Sequence, residues 1–344
     1  MKVKFGIFAD MHIDIMHDGE ERLAVFLDAC RKEEVDFIVH LGDFVYPSTG
    51  LKCVCRPERT PANVKDSLEN PCYADKDKIL HMYNHFEKPA YHVFGNHECD
   101  MCSKERMLAY TGGLGTYYSF DCGGFHFVVL DTNHLKLDGK FVSYENGNYF
   151  DYDGNTGLFP YLGDPQLEWL KEDLEHAQGP TILFSHARLG IGENAVLKRR
   201  AVCDAPKLRE ILKNAPNGVI LSANGHYHTD GGVDKVDDTL FWDVNSLSCC
   251  WLGTKYVCEG RYGEEIDEKC KSIRYVAPYK DAVYAIVTID EEAIRIQGTK
   301  SEFVGKTPEE LGIYAEGSKF REDKEAGIAI TAEILDRYLP YQKK

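Results

Sequence analysis

The chain has 344 residues, 43% of them hydrophobic, enough to bury a sizeable core as one large domain or two. Its formal net charge of −16 argues against any polyanion held along an extended basic surface. The same negative field disfavours anionic substrates unless bound cations reverse its sign locally, so a phosphorylated substrate implies a metal-dependent site.

Lys2–Phe8 is a near-continuous apolar run, the mark of a central strand buried on both faces. No apolar run is long enough for a signal peptide or a membrane span, so a cytoplasmic location is expected. The first strand ends in Ala9-Asp10-Met11-His12. Residues 20–32 then carry apolar positions at helical spacing, and residues 37–41 form a second buried strand ending in Gly42-Asp43. This β-α-β order implies parallel strands and a right-handed crossover. Prolines and a glycine mark a long loop over 47–72, which holds Cys53, Cys55 and Cys72. A helix is expected from about 75 to 86, then a third strand over 90–94 that ends in Gly95-Asn96-His97-Glu98.

Residues 117–121 and 125–131 flank Cys122-Gly123-Gly124 as a β-hairpin. Residues 133–164 are polar and glycine-rich and read as a long surface loop. Tyr144, Tyr149, Tyr152 and Tyr161 within it either stack on a nucleobase or sugar or pack the loop onto the body. Asp164-Pro165 opens a helix, Thr181–Ser185 is a strand ending in His186, and 206–212 is a short helix leading to a strand at Val219. That strand stops at Asn224-Gly225, and His226 and His228 follow with one residue between them. Residues 232–236, 240–244, 284–288 and 293–298 read as antiparallel strands, and 246–280 as an irregular insertion with Cys249, Cys250, Cys258 and Cys270. From about 300 the chain is polar apart from a weak helix near 332–338. The twelve cysteines read as reduced thiols, with a cysteine-bound metal at Cys99-Asp-Met-Cys102 as the alternative. His40 and His92 lie inside strands and read as core residues.

A lone His-x-His is more often a pair of loop histidines than a metal site. Here five strand ends finish on donors: Asp10-x-His12, Gly42-Asp43, Gly95-Asn96-His97-Glu98, His186 and Gly225-His226-x-His228. In open α/β sheets ligands gather at the carboxyl ends of strands. Carboxylate, amide oxygen and imidazole suit Mn, Fe or Zn, and without thiolates a structural zinc knot is not indicated.

With these motifs the chain resembles the calcineurin-like metallophosphoesterases over residues 3–230, and to about 298 if the late strands are counted. The cyclic-nucleotide-phosphodiesterase-like and purple-acid-phosphatase-like branches are the nearest in pattern. The resemblance implies an α/β (α+β) fold, a four-layer αββα sandwich of two mixed β-sheets flanked by helices. Residues 1–300 would form the catalytic domain, with insertions at about 47–72, 133–164 and 246–280, and 301–344 a C-terminal extension. Asp10, His12 and His228 would hold one metal, Asn96, His186 and His226 the other, and Asp43 would bridge. The cofactors implied are two divalent or trivalent transition-metal ions, Mn, Fe or Zn, which share a water that becomes the hydroxide nucleophile. His97 would protonate the leaving group, or else hold a phosphate oxygen, and Glu98 would orient a ligand.

One departure from the pattern stands out. Many members carry Gly-Asp-x-x-Asp, whose second aspartate supports the catalytic histidine, whereas this chain has Tyr46 there. Purple acid phosphatases use tyrosine at that position as an iron ligand but lack the histidine of Asp-x-His. With His12 present, Tyr46 is expected behind the ligands, and the sequence does not say what supports His97. Arg188 is a candidate to grip a substrate phosphate, with a surface salt bridge as the alternative. Arg199 and Arg200 are weaker candidates on the rim. The reading is a dinuclear-metal-dependent phosphoester hydrolase acting on a small phosphodiester or nucleotide, without nucleic-acid polymers or membranes as partners. Phosphomonoesterase activity and a catalytically silent scaffold are the alternatives, because mono- and diesterases share these motifs.

Overall fold

A computed structural model describes residues 1–13, 15–45, 77–100, 103–137, 139–145, 160–190, 192, 194–328 and 330–342. Tyr46, the loop 47–72 with its cysteines, Cys102, Tyr149 and Tyr152 lie outside the described residues. In chain order the strands are β1 (Lys2–Phe8), β2 (Phe37–His40), β3 (Ala90–His92), β4 (Tyr118–Cys122), β5 (Phe125–Leu130), β6 (His134–Leu137), β7 (Lys140–Ser143) and β8 (Thr181–Ser185). They continue with β9 (Val219–Asn224), β10 (Val233–Val236), β11 (Thr239–Asp243), β12 (Cys249–Trp251), β13 (Val276–Pro278), β14 (Ala285–Asp290), β15 (Ala293–Gly298) and β16 (Arg337–Pro340).

Two six-stranded mixed sheets result, in the orders β16-β15-β14-β1-β2-β3 and β10-β11-β9-β8-β5-β4. Strand alternation builds four layers from them. Val3, Phe5 and Ile7 of β1 face Phe125, Phe127 and Val129 of β5 and Ile182 and Phe184 of β8 in one core between the sheets. The intervening Phe8 turns outward onto Leu23 and Phe26 of the helix Gly19–Lys32. Val128, Leu130 and Leu183 turn outward on the other side, onto Leu167, Leu170 and Leu174 of the helix Asp164–His176. This is the four-layer sandwich the sequence implied.

Several local readings need correction. β11 runs parallel to β9, and only its other neighbour β10 is antiparallel to it. The chain leaves β9, lays down β10 as the sheet edge and returns through β11, so the hairpin reverses the direction once more. Residues 134–143, read as loop, form the hairpin β6–β7. Residues 332–338 are not a helix: Ile330, Ala332 and Ile334 alternate into the core with period two, and β16 pairs with β15. A helix lies earlier, at Lys319–Glu325. The segment 246–280 holds β12, β13, the helix Glu264–Lys269 and a 3₁₀ turn, Lys271–Tyr275. Beyond residue 300, Ile313, Phe320, Ile330, Ala332 and Ile334 join the core between the sheets. Among the described residues all eight cysteines are free thiols.

His126 of β5 is buried between two carboxylates, with Nδ1 2.8 Å from Asp121 and Nε2 2.9 Å from Asp173. Burial alone would lower its pKa, but the hydrogen bonds to Asp173 and Asp121 outweigh it and raise the pKa above the ordinary imidazole value. The stabilisation is therefore fully present below the unfolded pKa of about 6.5 and is lost as pH rises through the folded one. His126→Gln should cost about 1 kcal/mol at pH 5.5, a figure kept low because Asp121 is largely exposed. Urea unfolding across pH 5.5–9 should show the gap to wild type closing as pH rises; a gap that stays constant contradicts the pairing.

Candidate dinuclear metal centre

The carboxyl ends of β1, β2, β8 and β9 meet at one edge of the sandwich, and the chain must turn sharply as it leaves each strand. The backbone records this. Asp10, His12, Asp43, His226 and His228 all adopt positive φ, between 49° and 74°, and make up five of the seven non-glycine residues that do so among those described. Such conformations cost about 1–3 kcal/mol each and persist only where surrounding contacts enforce them. Here the loops brace one another: Asp10 N–H donates to Gly42 O at 3.0 Å, His12 N–H to Asp43 O at 3.1 Å, and His226 N–H to Asp10 Oδ2 at 2.8 Å. Glycine makes room for this crowding, since a Cβ on Gly95 would stand 2.1 Å from Asp43 Oδ1.

Two groups of donor atoms result. In the first, His12 Nε2 and His228 Nε2 are 3.0 Å apart, and Asp10 Oδ1 lies 3.4 Å from His228 Nε2 and 3.9 Å from His12 Nε2. In the second, His186 Nε2 lies 3.1 Å from Asn96 Oδ1, 3.2 Å from Asp43 Oδ2 and 3.1 Å from His226 Nδ1. Within each group the Asp and His donor atoms all lie within 4.8 Å of one another. The family resemblance grouped these residues in the same way but had Asp43 shared by both sets; its Oδ2 stands with the second.

The donors fit cations. Metal–ligand bonds of about 2.1 Å place adjacent donors roughly 3 Å apart, which is the spacing here. Asp10 Oδ1 is buried and has no hydrogen-bond partner among the described residues. His186 Nδ1 donates to Leu41 O at 2.8 Å and His228 Nδ1 to Cys249 O at 2.7 Å, so both rings turn Nε2 inward, where it can bind a cation once deprotonated. Electrostatics agree. Burial lowers His186, yet the charge on Asp43 raises it to about 9, while burial and His186 push His226 down to about 3. In the other group burial is outweighed at His228 by Asp10, raising it, and burial with His228 lowers His12. Each group thus holds one positive charge, on one imidazole, where a cation would otherwise sit.

Beside the groups stands His97, with Nε2 3.9 Å from Asp43 Oδ2 and its backbone N–H on Asp43 Oδ1 at 2.8 Å. Its Nδ1 is 2.8 Å from Asp100 Oδ2, and Tyr144 donates its hydroxyl to the other oxygen of Asp100. Asp100 is the residue the sequence reading missed. The available signal was spacing: one helical turn, Asn96–Cys99, sets positions 97 and 100 on one face. Burial lowers the pKa of His97, but Asp43 and Asp100 outweigh this and raise it. Glu98 accepts N–H groups of Asp43, Phe44, Val45 and Gly95, tying two strand ends together. Burial and Asp43 push its pKa up to about 7, while those N–H donors favour its ionised form.

Arg188 requires correction as a substrate contact. It is buried, donating to Asp243 at 2.7 Å and to Asp234, so its guanidinium is already neutralised by two carboxylates. Arg199 and Arg200 instead line a cavity of about 490 Å³ that opens over His12, Asp43, His97, His226 and His228. His40 and His92 are core residues, 2.7 Å apart and buried. Tyr144 and Tyr161 are buried against the body.

Because protons occupy His186 and His228 in the metal-free state, cation binding must displace them. Calorimetric titration with Mn²⁺ in buffers of different ionisation enthalpy should report about two protons released per chain near pH 7, with affinity falling as pH falls. Binding without proton release would contradict this charge assignment.

A sequence profile of the calcineurin-like phosphoesterases matches residues 3–230. A manganese-dependent ADP-ribose/CDP-alcohol diphosphatase of Oryza sativa subsp. japonica is 27% identical over 38% of this chain. That match spans about half of the relative, 51% of its length. A crystal structure of a dimetal phosphatase from Danio rerio superposes at TM-score 0.60 and 16% identity, covering 89% of this chain and 99% of that one. The likeness to it is one of fold. Among the described residues no helix is long and apolar enough to cross a membrane. The chain belongs to the calcineurin-like phosphoesterase family.

Proposed function

We propose that the chain hydrolyses a small phosphodiester or nucleotide at a two-cation site. One cation would be held by Asp10, His12 and His228 and the other by Asn96, His186 and His226, with Asp43 available to both. The observation that carries this reading is the meeting of two donor groups at one strand edge, with His97 beside them. Manganese is the first ion to test, since the Oryza relative is named for it and the oxygen and imidazole donors accept it.

When bound, the two cations supply Lewis acidity, lowering the pKa of water and neutralising charge on phosphoryl oxygens. The chain's own groups do the rest. Asp100 accepts from His97 Nδ1 and fixes the ring, leaving Nε2 to carry a proton toward the departing oxygen. Tyr144 holds Asp100 from behind. Glu98 keeps the Asp43 and Gly95 loops at a fixed spacing, and so keeps Asp43 and Asn96 beside His186 Nε2. The cavity above, about 490 Å³, exceeds what a phosphoryl group alone requires and suits a nucleotide-sized substrate.

The purified chain loaded with Mn²⁺ should cleave bis-p-nitrophenyl phosphate or a nucleotide phosphodiester faster than p-nitrophenyl phosphate. The reverse order would make it a monoesterase. Two bound ions without turnover of any phosphorylated compound would leave a silent scaffold. His97→Ala should lower kcat about 10²–10⁴-fold with an alkoxide leaving group and far less with p-nitrophenolate, which needs no proton. Asp100→Asn should follow the same leaving-group pattern at roughly a tenth of that loss or more. Equal losses on both substrate types would remove the acid role.

A further inference from the structure

The turn that carries His226 and His228 is gripped from two sides. Where it begins, His226 N–H donates to Asp10 Oδ2 at 2.8 Å and Tyr227 N–H to Gly225 O at 2.9 Å. Both histidines keep positive φ, 74° and 51°, a conformation that persists only where outside contacts enforce it. For the residue between them, Tyr227, those contacts come from Arg200. The Arg200 guanidinium lies 4.5 Å from the centre of the Tyr227 ring, and the Tyr227 hydroxyl donates to Arg200 O. The same guanidinium donates to Thr229 Oγ1 at 3.3 Å, one residue beyond His228.

Arg200 is held in turn by the last part of the chain. It ends the helix Ala195–Arg200, and its Nη2 is 2.9 Å from Asp323 of the helix Lys319–Glu325. Asn194 Nδ2 donates to Ala326 O at 3.1 Å, and Val196, Leu197 and Ile328 form an apolar cluster beside that contact. Asp243 Oδ2 stands 3.9 Å from Arg200 Nη1. The Arg200 side chain is only 11% exposed, its plane is stacked on a ring and its charge is met by carboxylates. It is engaged by the protein itself, although it lines the same cavity as the donor groups.

We propose that Arg200, fixed by Asp323, is the positioning residue of the His226-Tyr227-His228 turn and so sets how tightly both cations are held. This rests on the two-cation reading above. His228 belongs to one donor group and His226 to the other, so a turn that shifts displaces a donor in each. Asp323 lies outside residues 3–230, the range that the family profile matches, so this support is supplied by the tail of the chain. Charge alone would act with the opposite sign. An arginine lining the cavity repels cations, and its removal would tighten their binding. Loss of the brace loosens it.

The test titrates the full-length, metal-free protein with Mn²⁺ by calorimetry, at a temperature where thermal unfolding shows each variant folded. Arg200→Gln and Arg200→Lys should each weaken both binding steps about tenfold or more, the scale on which groups that orient metal ligands act. Tyr227→Phe keeps the stacked ring and loses one hydrogen bond, and should cost about threefold. Asp323→Asn should fall between them, and with Tyr227→Phe it carries the test if the Arg200 variants do not fold. Arg321→Ala breaks an exposed pair with Glu325 inside the same tail helix and should leave affinity unchanged. Tighter binding in Arg200→Gln beside wild-type binding in Arg200→Lys would reveal a charge effect and overturn the brace. Unchanged affinity in both, or a loss confined to one binding step, would overturn it too. So would a loss in Arg321→Ala equal to that in Arg200→Gln, which would trace the effect to folding of the tail. A wild type that takes up no cation fails the two-cation reading and this proposal with it, whereas wild-type uptake with unchanged variants fails this proposal alone.

Discussion

His12 Nε2 and His228 Nε2 face each other at 3.0 Å, and His186 Nε2 and His226 Nδ1 at 3.1 Å. Two imidazole lone pairs at that separation repel. Something positive must lie between each pair, a proton or a metal ion. The strained backbone at Asp10, His12, Asp43, His226 and His228, the glycine at position 95 and the N–H groups on Glu98 all keep these atoms facing inward. Without them the loops would relax and the pairs would part.

How much of this could be read from the sequence depends on range. The buried strands were legible because a run such as Thr181–Ser185 is apolar whichever face it turns. The site was legible because each strand ends on a donor, and parallel strands bring their carboxyl ends to one edge. Pairing partners were not legible: the parallel match of β11 to β9 depends on where β10 folds back, which no local pattern records. The extended path of residues 332–338 was hidden because one short apolar run suits either period, and only packing against β15 decides. Arg188 and Asp100 show the same limit at side-chain scale. Arg188 lies two residues from His186 yet is captured by Asp234 and Asp243, distant in sequence. Asp100 lies three residues from His97, and only the turn Asn96–Cys99 brings the two together.

The tail of the chain has a role its composition conceals. Residues after 300 look polar, yet β16 extends one sheet, Ile313 and Ile334 complete its core, and Lys319–Glu325 walls the cavity. The fold therefore uses its last segment where the first strands end, which couples the walls of the cavity to the closing of the sheet.

The two sheets meet through apolar faces, and such faces resist separation better than they resist sliding. Polar links that cross the gap prevent the slide. Lys2 N–H holds Gly123 O at one end; Asp10 Oδ2 with His226 N–H, and His186 Nδ1 with Leu41 O, hold the other. The donor groups straddle this seam, with Asp10 and Asp43 from one layer and His186, His226 and His228 from the other. Cations seated there would rivet the layers at the edge where they are cut, so that occupancy of the centre and alignment of the sandwich become one mechanical property.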